Sequence, residues 1–295
     1  MVQRLQGKVA VITGAASGIG LATTELFIEE EGARVIAADV QTLAGRALEE
    51  RFGAALRFAQ CDVTQLPQLK AAIDLAATHF GGLDILFSNA GSGGSTAGVE
   101  TFDADGWDST QALLLRSVAA GASYAVPHMK NRGGGAIVNT SSISALQAGY
   151  APISYSVAKA GVLHYTRLAA AELSAHHIRI NAIVPGFIAT SIFGGMFGMD
   201  LAQAKALAEK IAVDSGGANP IGRSGMPRDI AEAALFLASD ASGFITGTHI
   251  TVDGGITIGP RHAWDMKVEG PMKDAIGLTR AQLVAMRAAR LNQNV

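Results

Sequence analysis

"KVAVITGAASGIG", residues 8–20, decides the fold. The apolar run "KVAVI" (8–12) reads as a buried strand. Thr13 to Gly20 then turn on Gly14, Gly18 and Gly20, spaced G-x-x-x-G-x-G, with Ser17 and Ile19 between them. "GLATTELFIEEEG" (20–32) continues with a helical pattern. A strand, a glycine turn and a helix open a βαβ unit. Glycines there allow a tight turn and close approach of a pyrophosphate. The helix start adds unpaired N–H groups and the positive end of its dipole.

The same alternation runs outward along the chain. Further strand-like runs are "ARVIAAD" (33–39), "LRFAQCD" (56–62), "LDILFSN" (83–89), "GAIVNTSS" (135–142), "IRINAIVPG" (178–186) and "THITVDGG" (248–255). Each is apolar at nearly every position, as expected for strands buried on both faces of a parallel sheet. Helical patterns such as "PRDIAEAALFLASD" (227–240) lie between them. The fold class is therefore α/β, a doubly wound parallel sheet of Rossmann type. The 295 residues divide into one domain over 1–258 and a C-terminal extension over 259–295.

Composition narrows the function. A net charge of −2 with scattered basic residues offers no surface for nucleic acid or an anionic membrane. No apolar run is long enough for a membrane span, and no secretory leader pattern precedes the first strand. The single cysteine, Cys61, excludes an internal disulfide framework and fits a reducing, cytoplasmic setting. His128, His164, His176 and His177 show no metal-ligand spacing beside carboxylates, so no metal is expected.

Two further features carry chemistry. Asp39 ends the second strand, where a carboxylate accepts hydrogen bonds from adenosine ribose hydroxyls and repels a 2′-phosphate. Ser17, Val40 and Gln41 supply no cation for such a phosphate, so the expected cofactor is NAD rather than NADP. In "SYSVAKA" (154–160), Tyr155 and Lys159 are four residues apart and share one helix face. An ammonium beside a phenol stabilises the phenolate and lowers its pKa toward that of a useful general base.

The chain resembles the classical short-chain dehydrogenases/reductases over about residues 5–257. The matching motifs, in order, are "TGAASGIG", "CDVT" (61–64), "SNAG" (88–91), "IVNTSS" (137–142), "YSVAK" (155–159), "RINAIVPGFIAT" (179–190), "GRSGMPRDIA" (222–231) and "ITGTHITVDGG" (245–255). The resemblance implies that Tyr155 is general acid/base, that Lys159 also hydrogen-bonds the nicotinamide ribose, and that Ser142 orients the reacting oxygen. Ser141 competes for the last role, and the family spacing selects Ser142. Asp62 and Val63 would flank the adenine, and Asn89, Ala90 and Gly91 would border the cofactor ribose. Ile188 and Thr190 would hold the nicotinamide carboxamide after the Pro185–Gly186 turn. Assembly as a homotetramer or homodimer is also implied, through helices including the one carrying Tyr155.

One position departs from the pattern. The family's catalytic asparagine lies seven residues after Trp107 and fifteen before the Met of "PHM" (127–129), and both counts reach Leu114. A leucine cannot anchor a relay water. The proton leaves by another route, or Arg116 or Ser117 substitutes, or the protein is a weak or non-catalytic NAD-binding sensor or structural protein.

The substrate side lies in residues 191–220, where Phe193, Met196, Phe197 and Met199 form an expected apolar lid. With the small "SGGSTAGV" stretch (92–99), it suggests a bulky uncharged secondary alcohol or ketone, such as a steroid, terpenoid or cyclic alcohol. An NADPH-dependent ketoreductase is the alternative, and Asp39 opposes it. In the extension, Trp264 and Met266 are candidate anchors, Thr279 is a helix cap, and Leu283, Met286 and Leu291 share a face. That helix is expected to dock on the same or a neighbouring subunit.

Overall fold

The structure, a computed structural model, describes residues 3–292. Its strands are β1 (Val9–Thr13), β2 (Arg34–Asp39), β3 (Leu56–Gln60), β4 (Ile85–Ser88), β5 (Gly135–Thr140), β6 (Ile178–Pro185) and β7 (His249–Val252). They form one parallel sheet in the order β3-β2-β1-β4-β5-β6-β7. Chain order reverses between β1 and β4, so a crevice opens at the carboxyl ends of these two strands.

The period of two along each strand feeds two cores. Ala10 and Ile12 of β1 pack with Phe27, Leu48 and Leu235 on one side. Val9 and Val11 pack with Leu69, Met129 and Ile180 on the other. Helices Thr42–Phe52 and Pro227–Ala238 cover the first core, and helices Leu66–Phe80, Ser117–Asn131 and Ile153–Leu173 cover the second. Burial on both faces holds for β1, β2 and β4–β6 but not for β3 or β7. Those two form the sheet's edges, where Arg57 reaches Glu49 at 2.9 Å and β7 is only half-buried.

Residues 191–220 form two helices, Ile192–Met196 and Leu201–Asp214, followed by a short turn. The extension carries helices Pro271–Ile276 and Arg280–Asn292. Thr279 caps the latter as expected: its hydroxyl accepts from Gln282 N–H, and Gln282 Oε1 accepts from Thr279 N–H at 2.9 Å. Met266 is 74% exposed, so it does not anchor the extension. Leu283 is half-buried and Met286 exposed, and the side chain of Leu291 lies outside the described residues. No described helix is long and apolar enough to cross a membrane.

Candidate active site

The ends of β1, β4, β5 and β6 open into a cavity of about 400 Å³. At β1 the chain enters the glycine turn with Gly14 and Gly18 at φ of 67° and 51°, in the left-handed region that a side chain disfavours. A Cβ at Gly20 would fall 2.0 Å from the Gly14 carbonyl oxygen, so the first helical turn packs directly on the loop. Helix Gly18–Glu25 begins at the cavity, and the Ser17 side chain caps none of its free N–H groups. Bare backbone, open donors and a helix N-terminus fit a pyrophosphate.

Gly14, Ser17, Gly18 and Ile19 line the cavity together with Asn89, Ala90 and Gly91 from the loop after β4. Thr13 ties these loops together. Its hydroxyl accepts from the N–H groups of Asn89 (2.9 Å) and Ala90 (3.1 Å), and its carbonyl accepts from Asn89 Nδ2 (3.1 Å). On the far side, Pro185, Gly186, Ile188 and Thr190 complete the wall. Gly186 N–H donates to Val252 O at 3.0 Å, and Ala189 N–H to Gly225 O at 2.8 Å, which fixes this segment over the sheet. Thr190 sits above the glycine turn, 3.3 Å from where a Gly18 Cβ would lie.

Asp39, Asp62 and Val63 do not line this cavity. The Asp39 carboxylate is buried and accepts from Ala16 N–H and Gln41 N–H, each at 2.9 Å, so it braces the glycine turn from below. Gln41 Nε2 also donates to Oδ1 at 3.4 Å, and a carboxylate has about four acceptor sites, so about one remains. Asp62 accepts from Thr64 N–H (2.9 Å) and Oγ1–H (2.7 Å), and Val63 is buried against the helix Ser117–Asn131 side.

Ser142, Tyr155 and Lys159 all line this cavity. The two serines follow the end of β5 and differ in their hydrogen-bond partners. Both line the cavity, but the buried Ser141 hydroxyl donates to Lys159 O at 2.8 Å, whereas the Ser142 hydroxyl accepts from Ser144 N–H at 3.2 Å. Lys159 is 4% exposed; its Nζ donates to Thr140 O at 2.8 Å and lies 5.6 Å from the Tyr155 ring centroid. The expected lowering of the Tyr155 pKa by Lys159 is corrected here. Burial pushes the Tyr155 phenol above its ordinary value, with a Ser142 hydrogen bond acting in the opposite direction. Burial also pushes the Lys159 ammonium down to about 8. For both groups burial is the largest cause of the shift.

Leu114 is fully buried within the wide turn Ala112–Arg116 that interrupts its helix. Its Cδ2 lies 3.0 Å from where a Gly91 Cβ would sit, so it packs behind the cavity wall. Neither polar neighbour takes its place. Arg116 Nη2 donates outward to Thr64 O at 3.0 Å, and Ser117 Oγ donates to Leu113 O at 2.5 Å.

The apolar end of the cavity differs in part from the expected lid. Phe193 lines it and stacks at a tilt on Phe187, ring centroids 4.6 Å apart. Phe197 is 71% exposed, Met199 is also exposed, and the side chain of Met196 lies outside the described residues. Ile143, Tyr150, Phe187, Ile192 and Ile256 supply the wall instead. Tyr150 and Phe187 were readable only as neighbours of Ser142 and Gly186, and Ile256 comes from beyond β7, which sequence order does not connect to the site. Lys159 is the one charged residue lining the cavity among the described residues, and no described His, Cys, Asp or Glu cluster could hold a metal ion.

Comparison with known proteins agrees with this architecture. A family model described as enoyl-(acyl carrier protein) reductase matches residues 14–257. The cis-4-hydroxycyclohexanecarboxylate dehydrogenase of Sinomonas cyclohexanicum is 40% identical over 253 residues, covering 85% of this chain and 96% of that protein. Momilactone A synthase of Oryza sativa subsp. japonica is 37% identical over 259 residues, covering 87% and 92%. A crystal structure assigned to the short-chain dehydrogenases/reductases, from Burkholderia xenovorans, superposes with a TM-score of 0.77 at 35% identity and covers 88% of this chain and all of that one. The glycine turn, the switch-point cavity and these matches place the chain in the classical short-chain dehydrogenase/reductase family, whose members are oxidoreductases using nicotinamide cofactors.

Proposed function

We propose that this protein is an NAD(H)-dependent oxidoreductase that interconverts a bulky, apolar or cyclic secondary alcohol and its ketone. The observation that carries the reading is the convergence of Ser142, Tyr155 and Lys159 between the glycine turn and an apolar wall. In this reading the glycine turn and the helix behind it hold the pyrophosphate, Asp39 accepts from the adenosine ribose, and Ile188 and Thr190 hold the carboxamide. The nicotinamide, when bound, supplies or accepts the hydride. Ser142 hydrogen-bonds the reacting oxygen and Tyr155 exchanges its proton. Lys159 hydrogen-bonds the nicotinamide ribose and keeps a positive charge near Tyr155 at neutral pH. With Leu114 in place of a polar group, the proton reaches solvent by another path.

Several observations support the finer points. The side chain that hydrogen-bonds Asp39 is the uncharged Gln41, whose Nε2 donates to Asp39 Oδ1 at 3.4 Å and to Ser17 Oγ at 3.3 Å, which favours NAD over NADP. The Phe187–Phe193 pair and Ile256 suit a ring system. Relatives of the chain include enzymes named for a hydroxycyclohexane and for a momilactone. The buried single thiol of Cys61 suits a cytoplasmic setting, and the exposed apolar residues Ile153, Val157 and Leu168 on the Tyr155 helix suit a homodimer or homotetramer. A panel of cyclic secondary alcohols with NAD or NADP, followed by absorbance of the reduced cofactor, tests the reading. Turnover of ring alcohols with NAD supports it; turnover only with NADP, or none across the panel, refutes it.

A further inference from the structure

Ser95 sits midway along the loop from Gly91 to Gly98, which follows β4 and brings Ser92 and Gly93 to the cavity. The loop has no regular secondary structure, so its backbone groups need partners from elsewhere in the fold. Ser95 finds both on helices. Its N–H donates to Thr110 Oγ1 at 2.9 Å, and its carbonyl accepts from Ser154 Oγ at 2.8 Å. Thr110 and Ser154 are each 3% exposed, so water is poorly placed to replace either bond. Gly94 lies so close to Thr110, at a φ of 70°, that a Cβ there would fall 2.8 Å from Thr110 Cγ2. The loop is therefore seated on the helix Ala104–Gln111 and tied from the other side by Ser154.

Ser154 is also the residue before Tyr155. The helix Ile153–Leu173 starts after Pro152, which offers no side-chain hydrogen bond to cap its first turn. A side chain from another helix holds that turn instead. Gln111 Nε2 donates to Ser154 O at 2.9 Å. Gln111 is the last residue before the wide turn that contains Leu114. Leu114 is apolar, and the polar reach toward the Tyr155 helix falls three residues earlier, on Gln111. Two neighbours thus make two grips. Thr110 takes the loop, Gln111 takes the turn that carries Tyr155, and Ser154 joins them through its hydroxyl and its carbonyl.

We propose that Ser154 and Gln111 are positioning residues for Tyr155, locking the first turn of its helix and the Ser92–Gly93 wall into one unit. Neither residue lines the cavity, so each acts through a neighbour. The kinetic consequence rests on the alcohol–ketone reaction proposed above. There the phenol of Tyr155 must meet the oxygen of a substrate seated against the loop, and a displacement of about 1 Å can cost about a hundredfold in rate. A lock between the two keeps that distance fixed.

Ser154→Ala and Gln111→Met, made singly in the full chain, test this. The first removes the hydroxyl, and the second keeps the length and removes the donor. Each is expected to lower kcat and raise KM for the alcohol, with kcat/KM falling about five- to tenfold, the scale of one net hydrogen bond. KM for NAD is expected to stay at the parent's value, because the glycine turn makes no contact with either bond. A general loosening of the fold would weaken NAD as well. Hydrogen exchange read by mass spectrometry, without substrate, supplies a measurement that needs no turnover. Each single variant is expected to speed exchange about fivefold in both segments, 92–98 and 153–158, while residues 13–20 exchange as in the parent. Gln111 is only half-buried, so its variant reads the lock even where Ser154→Ala folds poorly. Unchanged exchange, or loosening of one segment without the other, overturns the proposal. Faster exchange with kcat and KM equal to the parent's also overturns it, since the bonds are then structural only. If the parent turns over no alcohol, the proposed reaction fails, and exchange alone decides whether the two segments are locked together.

Discussion

Replacing Lys159 by methionine is expected to make the protein more stable near neutral pH while abolishing the function proposed for that side chain. Lys159 is 4% exposed and its ammonium has one hydrogen-bond acceptor, Thr140 O. Burial moves its pKa from 10.5 down to about 8. At ~1.4 kcal/mol per tenfold change, holding the ammonium in the folded state costs about 3 kcal/mol below pH ~8. The sign follows from proton counts. Between pH ~8 and ~10.5 the unfolded chain keeps this proton and the folded chain loses it, so native stability rises with pH across that window. Methionine has similar length and no charge, and its substitution loses the bond to Thr140 O, worth about 1 kcal/mol. Lys159→Met is therefore expected to be more stable than the parent by about 2 kcal/mol at pH 7, and less stable by about 1 kcal/mol near pH 10.5. Urea unfolding followed by circular dichroism, at one protein concentration and several pH values, measures the difference. The Tyr155 phenol is present in both chains, so its own titration largely cancels. A stability difference that stays flat with pH, or a variant several kcal/mol weaker at pH 7, refutes the reasoning.

Tyr155→Phe removes the exchangeable proton with little change of shape, and turnover on an identified alcohol is expected to fall at least about a hundredfold, with NAD binding by fluorescence retained. Asp39→Ala removes the acceptor for Ala16 N–H and Gln41 N–H; it is expected to lower stability by about 1–3 kcal/mol, weaken NAD binding and improve NADP relative to NAD in parallel titrations. Leu114→Asn places an amide in a fully buried site against Gly91, so a loss of about 2–4 kcal/mol in urea unfolding is expected, while turnover stays within about tenfold. A gain of several orders of magnitude in turnover would show that Leu114 cripples the natural enzyme.

Much of the site could be read in order along the chain because each part sits at the end of a strand. Gly14 follows β1, Asn89 follows β4, Ser142 follows β5 and Gly186 follows β6, and a parallel sheet brings strand ends of one polarity to one edge. Tyr155 and Lys159 join them because the helix Ile153–Leu173 packs across β5 and β6 and presents one face. The lid was less readable. Phe193 and Phe197 are equally apolar in sequence, and only the tertiary structure decides that one lines the cavity beside Phe187 and the other is exposed.

The sequence by itself determined the parallel sheet, its strand–helix alternation, the glycine turn and the four-residue spacing of Tyr155 and Lys159, because periodicity, glycine placement and spacing are local properties of a chain; Ser142 was chosen beside them by the family resemblance. Burial was decided elsewhere. That β3 and β7 are edges, that Asp39 braces the turn from outside the cavity, and that Leu114 lies behind Gly91 depend on which elements become neighbours. So do the pKa directions at Tyr155 and Lys159. Spacing placed an ammonium beside a phenol, but the surrounding packing removed both from water, and desolvation is a property of everything around a group rather than of its position in a helix.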